Sequence, residues 1–405
     1  MATFSNTPRP AYVYEAATDQ WIPVGFGPHT HAVTDVTNAF NTTTVTTKGD
    51  LVVAAGSNNI TRLAAGTNGD TLVPDSSTAT GLRWQGSMAA GRNAVINGGF
   101  DIWQRGTTFT NPSSNTYGPD RWTIGDNSGC VYTRQSTDAP TGIQYFLRAF
   151  RTAGTTSTSN INVVQSIDTI NSIPLAGKTV TLSMYLRKGA NGPSNLNIAL
   201  VWGTNTDGSL WAGGGNGGTI AGASQVITTS WARYSYTATV PSNATQLFVW
   251  AYYSATGTAP ANEYYDITGV QLEVGSVATN FSRAGGSIGG ELALCQRYYY
   301  RRGAQSAIYA YFATGDANSA TEAKIFIQYP VEMRVGPTLT PINTTSFAIQ
   351  AGSVFQSVTS MTGDMVTTWS YGLRVGVGSG LTDGRACRLL SNNSTATALE
   401  FNAEL

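Results

Sequence analysis

Val180-Thr181-Leu182-Ser183-Met184-Tyr185-Leu186-Arg187 alternates apolar and polar residues without a break. In an extended chain successive side chains leave opposite sides, so Val180, Leu182, Met184 and Leu186 define one buried face of a strand. The same period of two returns in Leu196, Ile198, Leu200 and Trp202, in Ala232, Tyr234, Tyr236, Ala238 and Val240, and in Leu247-Phe248-Val249-Trp250-Ala251-Tyr252-Tyr253. Pro, Gly and Asn turns separate these runs and no helical pattern intervenes, which predicts a jelly-roll-like antiparallel sandwich over 91–286.

Outward from that sandwich the text changes character. Glu291-Leu292-Ala293-Leu294-Cys295-Gln296-Arg297 follows Gly289-Gly290 and is rich in helix formers, so a linker helix is expected over 287–297. Strand-like runs resume in 298–405, notably Lys324-Ile325-Phe326-Ile327-Gln328-Tyr329 and Thr367-Thr368-Trp369-Ser370-Tyr371, giving a second, C-terminal β domain. Before the sandwich, 46–90 holds the short pieces Leu51-Val52-Val53, Ile60-Thr61-Arg62-Leu63 and Thr71-Leu72-Val73 between glycine turns. Pieces this short bury little alone, so a β shaft completed by other copies of the chain is expected. Residues 1–45 read as an extended arm punctuated by proline. The whole is all-β.

Composition narrows the function. Charged residues are 11% of the 405, against about 25% in an average protein, while 45 glycines and abundant Thr, Ser and Asn supply an uncharged polar surface. Lys+Arg and Asp+Glu balance at 23 each, so no net field draws the chain to nucleic acid or an anionic membrane. No apolar run approaches the about 18 residues of a membrane span, and Met1 to Pro10 has no export signal. Cys130, Cys295 and Cys387 are too far apart for a zinc knuckle or a disulfide framework and read as buried thiols.

Catalysis finds little footing. Paired carboxylates could hydrolyse a glycan, and Asp101, Asp120, Asp266 and Glu273 are the candidates. Asp101 and Asp120 stand near Arg105 and Arg121, where a structural pair is the expected role. Gly213-Gly214-Gly215 with Gly217-Gly218 lacks the Lys-Ser/Thr of a phosphate loop and reads as a flexible hairpin tip. A non-enzymatic protein is expected. Sugar binding needs a ring for the apolar face of a sugar and amides for its hydroxyls. Trp211, in a loop of Gly, Asn and Asp, fits that need, against the alternative that it packs onto the sandwich. Trp202, Trp231 and Trp250 are expected in the core or a subunit interface. Trp369 and Tyr371 share a strand face, where core packing is the first reading and a ligand surface the alternative. His29 and His31, two apart, would face one side of an extended strand, so three copies would offer six nitrogens to a metal, against the reading of two solvent-exposed histidines in a proline-flanked turn.

Several stretches resemble bacteriophage tail-fibre sequences. Thr47-Lys48-Gly49-Asp50-Leu51-Val52-Val53, Arg62-Leu63-Ala64-Ala65-Gly66-Thr67-Asn68-Gly69 and Asp75 to Trp84 are similar to a fibre shaft module. Asn97-Gly98-Gly99-Phe100-Asp101-Ile102-Trp103-Gln104-Arg105-Gly106 and Tyr117-Gly118-Pro119-Asp120-Arg121-Trp122 resemble the opening of fibre sandwich domains related to carbohydrate-binding modules. Val270 to Phe281 resembles their close, and Pro28-His29-Thr30-His31 a histidine motif of trimeric fibres. The resemblance implies a homotrimeric tail-fibre adhesin made in the host cytoplasm and carried on the virion. Its arm would join other tail or baseplate proteins, its distal domains would bind a host surface glycan, and one iron or other transition metal would sit at His29 and His31. A purely structural collar, whisker or baseplate component is the main alternative, and a glycan depolymerase a third.

Overall fold

A computed structural model of the protein describes residues 11–24, 45–57, 59–66, 70–86, 92–125, 129–305 and 308–405. The chain divides into two compact units, Met1–Ser87 and Met88–Leu405.

The described residues of the first unit form three antiparallel hairpins: β1 (Ala11–Glu15) with β2 (Gln20–Val24), β3 (Leu51–Gly56) with β4 (Asn59–Leu63), and β5 (Asp70–Pro74) with β6 (Leu82–Gly86). Over 11–24 the expected extended arm is thus a hairpin. Asp19 takes a left-handed φ of 50° in its turn, and Pro23 lies opposite Tyr12, which a two-stranded ribbon tolerates because both strands are edges. In the next two hairpins a carboxylate beside the first strand ties the pair. Asp50 accepts the N–H groups of Thr46, Thr47 and Ala65 and pairs with Arg62 at 2.8 Å, and Asp75 pairs with Arg83 at 2.9 Å. The short shaft pieces therefore find their first partners within the chain, while their side chains stay mostly half-exposed or exposed.

The second unit opens with β7 (Thr108–Thr110), β8 (Thr116–Tyr117), β9 (Thr123–Gly125), β10 (Cys130–Gln135), β11 (Phe146–Arg151) and β12 (Asn160–Ile167). After the one-turn helix α1 (Thr169–Ser172) come β13 (Thr179–Lys188), β14 (Asn195–Gly203), β15 (Gly218–Val226), β16 (Ala232–Thr239), β17 (Gln246–Ser254) and β18 (Tyr264–Val274). They form two six-stranded sheets, ordered β16-β13-β18-β11-β10-β7 and β15-β14-β17-β12-β9-β8. Val180, Leu182, Met184 and Leu186 from the first sheet meet Leu196, Ile198, Leu200, Leu247 and Val249 from the second in one core. Each such side chain, fully buried, contributes about 1.5–3 kcal/mol.

The other face of β13, expected to meet water, is also closed at Thr181 and Ser183. The chain after β18 folds across it. Thr181 donates to the Gly275 carbonyl at 2.8 Å, Arg233 donates to Ser183 and to the Thr279 carbonyl, and Thr279 donates to Glu273 at 2.6 Å. The opening motif is equally structural. Asn97 stands at a φ of 57° and its side chain holds the Ile102 N–H and the Ile102 and Asp120 carbonyls, while a Cβ at Gly98 would lie 2.0 Å from the Val270 carbonyl oxygen.

Helix α2 (Ile288–Gln296) forms where expected, capped by Ser287, whose hydroxyl accepts the Gly290 N–H at 3.1 Å. Its buried Glu291 accepts the N–H groups of Gly285 and Asn97, and burial raises its pKa. Then follow β19 (Tyr299–Gly303), β20 (Tyr311–Ala317), β21 (Glu322–Gln328), β22 (Thr338–Ile342), β23 (Phe347–Ala351), β24 (Val354–Val366), β25 (Ser370–Val377), β26 (Ala386–Ser391) and β27 (Ala398–Asn402). Six of these close a barrel, β20-β21-β25-β24-β23-β26, and β19-β27-β22 form a small sheet. Closure leaves the barrel no free edge. Its core holds Phe312, Phe347, Ile325, Leu373 and Leu389.

The sandwich and the barrel are joined by more than α2. Glu404 pairs with Arg121 and, at 3.2 Å, with Arg105; Arg334 donates to the Ala403 and Glu404 carbonyls and pairs with Asp207 at 3.1 Å. No helix among the described residues is long and apolar enough to cross a membrane.

Candidate functional site

On the outer face of the second sheet the alternation of β12, β14 and β17 sets amides and aromatic rings side by side. Asn162, Tyr252 and Asn197 form one row across three strands, continued on β15 by Ser224; Val164, Trp250 and Ala199 form the next, continued by Gly222. Trp250 and Tyr252, two residues apart on one strand side, stack with centroids 4.1 Å apart and planes at 20°. The Trp250 indole N–H donates to the Asn162 side-chain oxygen at 3.0 Å, which fixes the ring and spends one acceptor of that amide. Beyond it Ser254 donates to Asn160 at 2.7 Å. The face is graded, with amides and hydroxyls at one end and Ala199, Val201, Phe248 and Leu210 packed at the other.

Trp211 completes it from above. Its ring stands edge-on to Trp250 at 5.6 Å and 83°, an arrangement the ring quadrupoles favour. It sits on a 3-10 turn, Leu210–Ala212, capped by Ser209, and remains 37% exposed. Both readings of this residue hold at once, since it packs on the sandwich and presents a free face. The loop carrying it is not the flexible hairpin tip expected from its glycines. Gly214 N–H bonds the Ser209 carbonyl at 2.9 Å, Asn205 the Gly213 carbonyl at 2.8 Å, and Asn216 receives the Thr204 N–H at 2.9 Å. Gln246, at the start of β17, accepts the Gly208 N–H at 2.8 Å. Polar side chains that read as solvent-facing are spent on lacing the loop.

Trp250 was expected in the core or a subunit interface; it is half-buried on this outer face. Trp202 packs against the sandwich core as expected, and Trp231 lies edge-on to Phe146. Tyr371 does not share a surface with Trp369. It is 5% exposed and packs in the barrel core 5.5 Å from Phe401, whereas Trp369, just before β25, is 59% exposed. The two rings part because the side chain of Tyr371 turns into the closing barrel. Trp211 is the expected ligand ring beside which the half-buried rings of Trp250 and Tyr252 are stacked. His29 and His31 lie outside the described residues. Tyr252, Asn160, Asn162 and Asn197 were missed, although the apolar–aromatic run of β17 carried two rings on the side opposite its Leu and Val.

The four carboxylates weighed for catalysis are all engaged. Asp101 pairs with Arg283 at 2.7 Å, Asp120 with Gln104 and, at 3.9 Å, Arg105, Asp266 with Arg148 and Arg187, and Glu273 with Thr279 and, at 3.8 Å, Arg92. Burial pushes the Asp120 carboxyl up to about 6. The three cysteines are free and buried, and burial pushes the Cys130 thiol up to about 12.

No protein-family model matches the chain, and no curated protein matches it. Among solved structures, it is similar to a family 4 carbohydrate-binding module at 19% identity and a TM-score of 0.27, over 44% of this chain and 98% of that one. It is also similar to the enzymatically active domain of bacteriophage CBA120 tailspike protein 4, at 13% identity and a TM-score of 0.30, spanning 47% of this chain but only 22% of that one. A xylan-binding family 22 module follows at 18% identity and a TM-score of 0.25, over 44% and 99% of the two chains. Likeness this distant leaves the ligand to be read from the chain's own residues.

Proposed function

We propose that this all-β protein is a non-enzymatic, glycan-binding adhesin whose ligand lies along the outer face of β15-β14-β17-β12. One observation carries the reading: the stack of the half-exposed Tyr252 and Trp250, with Trp211 edge-on and Asn197 beside Tyr252, offers ring surface and an uncharged amide in one place, while the buried Asn162 fixes the Trp250 ring. A pyranose ring presents apolar C–H groups and neutral hydroxyls, and this face answers both. Charged side chains are absent from the two described rows, which suits a neutral sugar. Mixed aromatic and polar lining with a few fixed hydrogen-bonding groups is what small-ligand sites share.

The resemblance of the shaft, opening and closing motifs to tail-fibre sequences supports a role on a phage virion, with three copies assembled through the short hairpins and residues 1–45 joined to other tail proteins. The alternative of a structural appendage predicts no sugar affinity at all. Affinity electrophoresis of the whole chain in gels containing neutral host polysaccharides separates the two. Retardation that Trp211→Ala removes supports the adhesin. Unretarded migration in every neutral polysaccharide supports the structural appendage.

A further inference from the structure

The outer face of the first sheet carries a second cluster with different chemistry. Arg187 on β13, Asp266 on β18 and Arg148 on β11 stand in one cross-strand row. Asp266 is fully buried and serves both cations, accepting from Arg148 Nε and Nη2 at 2.8 and 2.9 Å and from Arg187 Nε at 2.7 Å. Two guanidinium charges on one buried carboxylate leave a positive charge over. It is answered from the rim by Asp138, which pairs with Arg187 Nη1 while its side chain stays 76% exposed. Nη1 of Arg148 and Nη2 of Arg187 make no hydrogen bond among the described residues.

Rings hold these cations flat. Arg148 lies 3.7 Å over Tyr264, and Arg187 lies 4.7 Å from the Trp231 ring and 5.1 Å from Phe146. The Asp138 turn, at a φ of 64°, is anchored by the Trp231 indole N–H, which donates to the Asp138 carbonyl at 2.7 Å. A cavity of about 480 Å³ opens here, lined by Phe146, Arg148, Arg187, Lys188, Tyr264 and Asp138. That volume is within the range of small-ligand pockets, about 300–1,000 Å³.

We infer that this cavity is a binding site for the carboxylate of an acidic sugar. The ligand carboxylate takes the place of the Asp138 carboxylate against Arg187 and reaches Nη1 of Arg148, a planar geometry that guanidinium groups match and ammonium groups do not. The sugar ring then lies against Phe146 and Tyr264. Asp138 is a built-in competitor that keeps the cations paired when no ligand is bound. The site lies on the sheet opposite the Trp211 face and does not depend on it.

Calorimetric titration of the full chain with trigalacturonate, beside neutral xylotriose, tests this. Trigalacturonate is expected to bind in this cavity with an affinity that falls as salt rises. Asp138→Asn, at an exposed position, should tighten it about threefold or more by removing the competitor, and Arg187→Lys, which keeps the charge beside Asp266, should weaken it about tenfold. Trp211→Ala should leave it unchanged, so that failure of the aromatic face and failure of this site are read separately. The inference is overturned if trigalacturonate does not bind, if Asp138→Asn leaves its affinity unchanged, or if Trp211→Ala abolishes it. Displacement by an equal concentration of inorganic phosphate would overturn the sugar assignment.

Discussion

The Glu404 carboxylate receives the guanidinium of Arg121 across 283 residues of sequence, and both side chains are almost wholly buried. Arg121 also donates to the Ser166 carbonyl at 2.8 Å and lies 3.6 Å over the Tyr298 ring, whose hydroxyl donates to Asp168 at 2.6 Å. The sandwich opening, the start of the barrel half and the residues after β27 thus meet at one cation.

Removing one partner of a buried pair strands the other charge, at a cost of about 3–5 kcal/mol. Glu404→Ala is therefore expected to lower unfolding free energy by that order, measured from the urea midpoint. Pairing it with Arg121→Met should cost less than the sum of the two single substitutions, because the stranded charge is gone. Additive losses would contradict the coupling.

Asp120 supplies a pH dependence. Burial holds its carboxyl up at about 6, against the pull of Arg105 and Gln104. An unfolded Asp titrates near about 4, so the folded chain holds this proton more tightly. The group's contribution to stability is whole below about pH 4 and is lost as pH rises through about 6. Asp120→Asn should remove that loss, so the melting temperature of the wild type falls relative to that of the variant as pH rises from about 4 to about 6. Parallel profiles from scanning calorimetry would contradict the assignment.

The loop bearing Trp211 depends on a close approach. A Cβ at Gly203 would lie 1.7 Å from the Gly214 carbonyl oxygen, and backbone cannot yield as a side chain can. Gly203→Ala should displace the loop and weaken sugar binding about tenfold or more while leaving the far-ultraviolet circular dichroism of the sandwich intact, since the core residues of β14 are untouched. Unchanged affinity would show that Trp211 is not held by this contact.

The sandwich was legible because its strands bury one face, and burial writes a period of two into Val180 to Leu186 and Leu247 to Tyr253. The second face was harder to read. Thr181 and Ser183 have the composition of solvent-facing residues, yet both are buried, Thr181 bonding the Gly275 carbonyl 94 residues later and Ser183 accepting from Arg233, 50 residues later. The same ambiguity hid the site: Trp250 and Tyr252 carry enough apolar surface to pass for core, and only the pairing register shows them beside Asn162 and Asn197. For Tyr371 core packing holds, while Trp369 stays exposed. Alternation sets Ser370 and Tyr371 on opposite sides of β25, but which side becomes the barrel interior is decided by closure with β20 and β24, and no local pattern encodes that.

The central claim is that the ligand lies on Trp211, Trp250 and Tyr252, with the buried Asn162 fixing the Trp250 ring, and its most direct test is titration calorimetry of the whole chain with the neutral glycan that retards it, comparing Trp250→Ala, Asn162→Ala and Trp369→Ala. Loss of a buried-edge ring at the centre of a site costs about 2 kcal/mol, or about 30-fold in Kd. The account predicts that loss for Trp250→Ala, a smaller one for Asn162→Ala, and wild-type affinity for Trp369→Ala. Wild-type affinity in the first two with loss in the third would contradict it and move the site to the barrel.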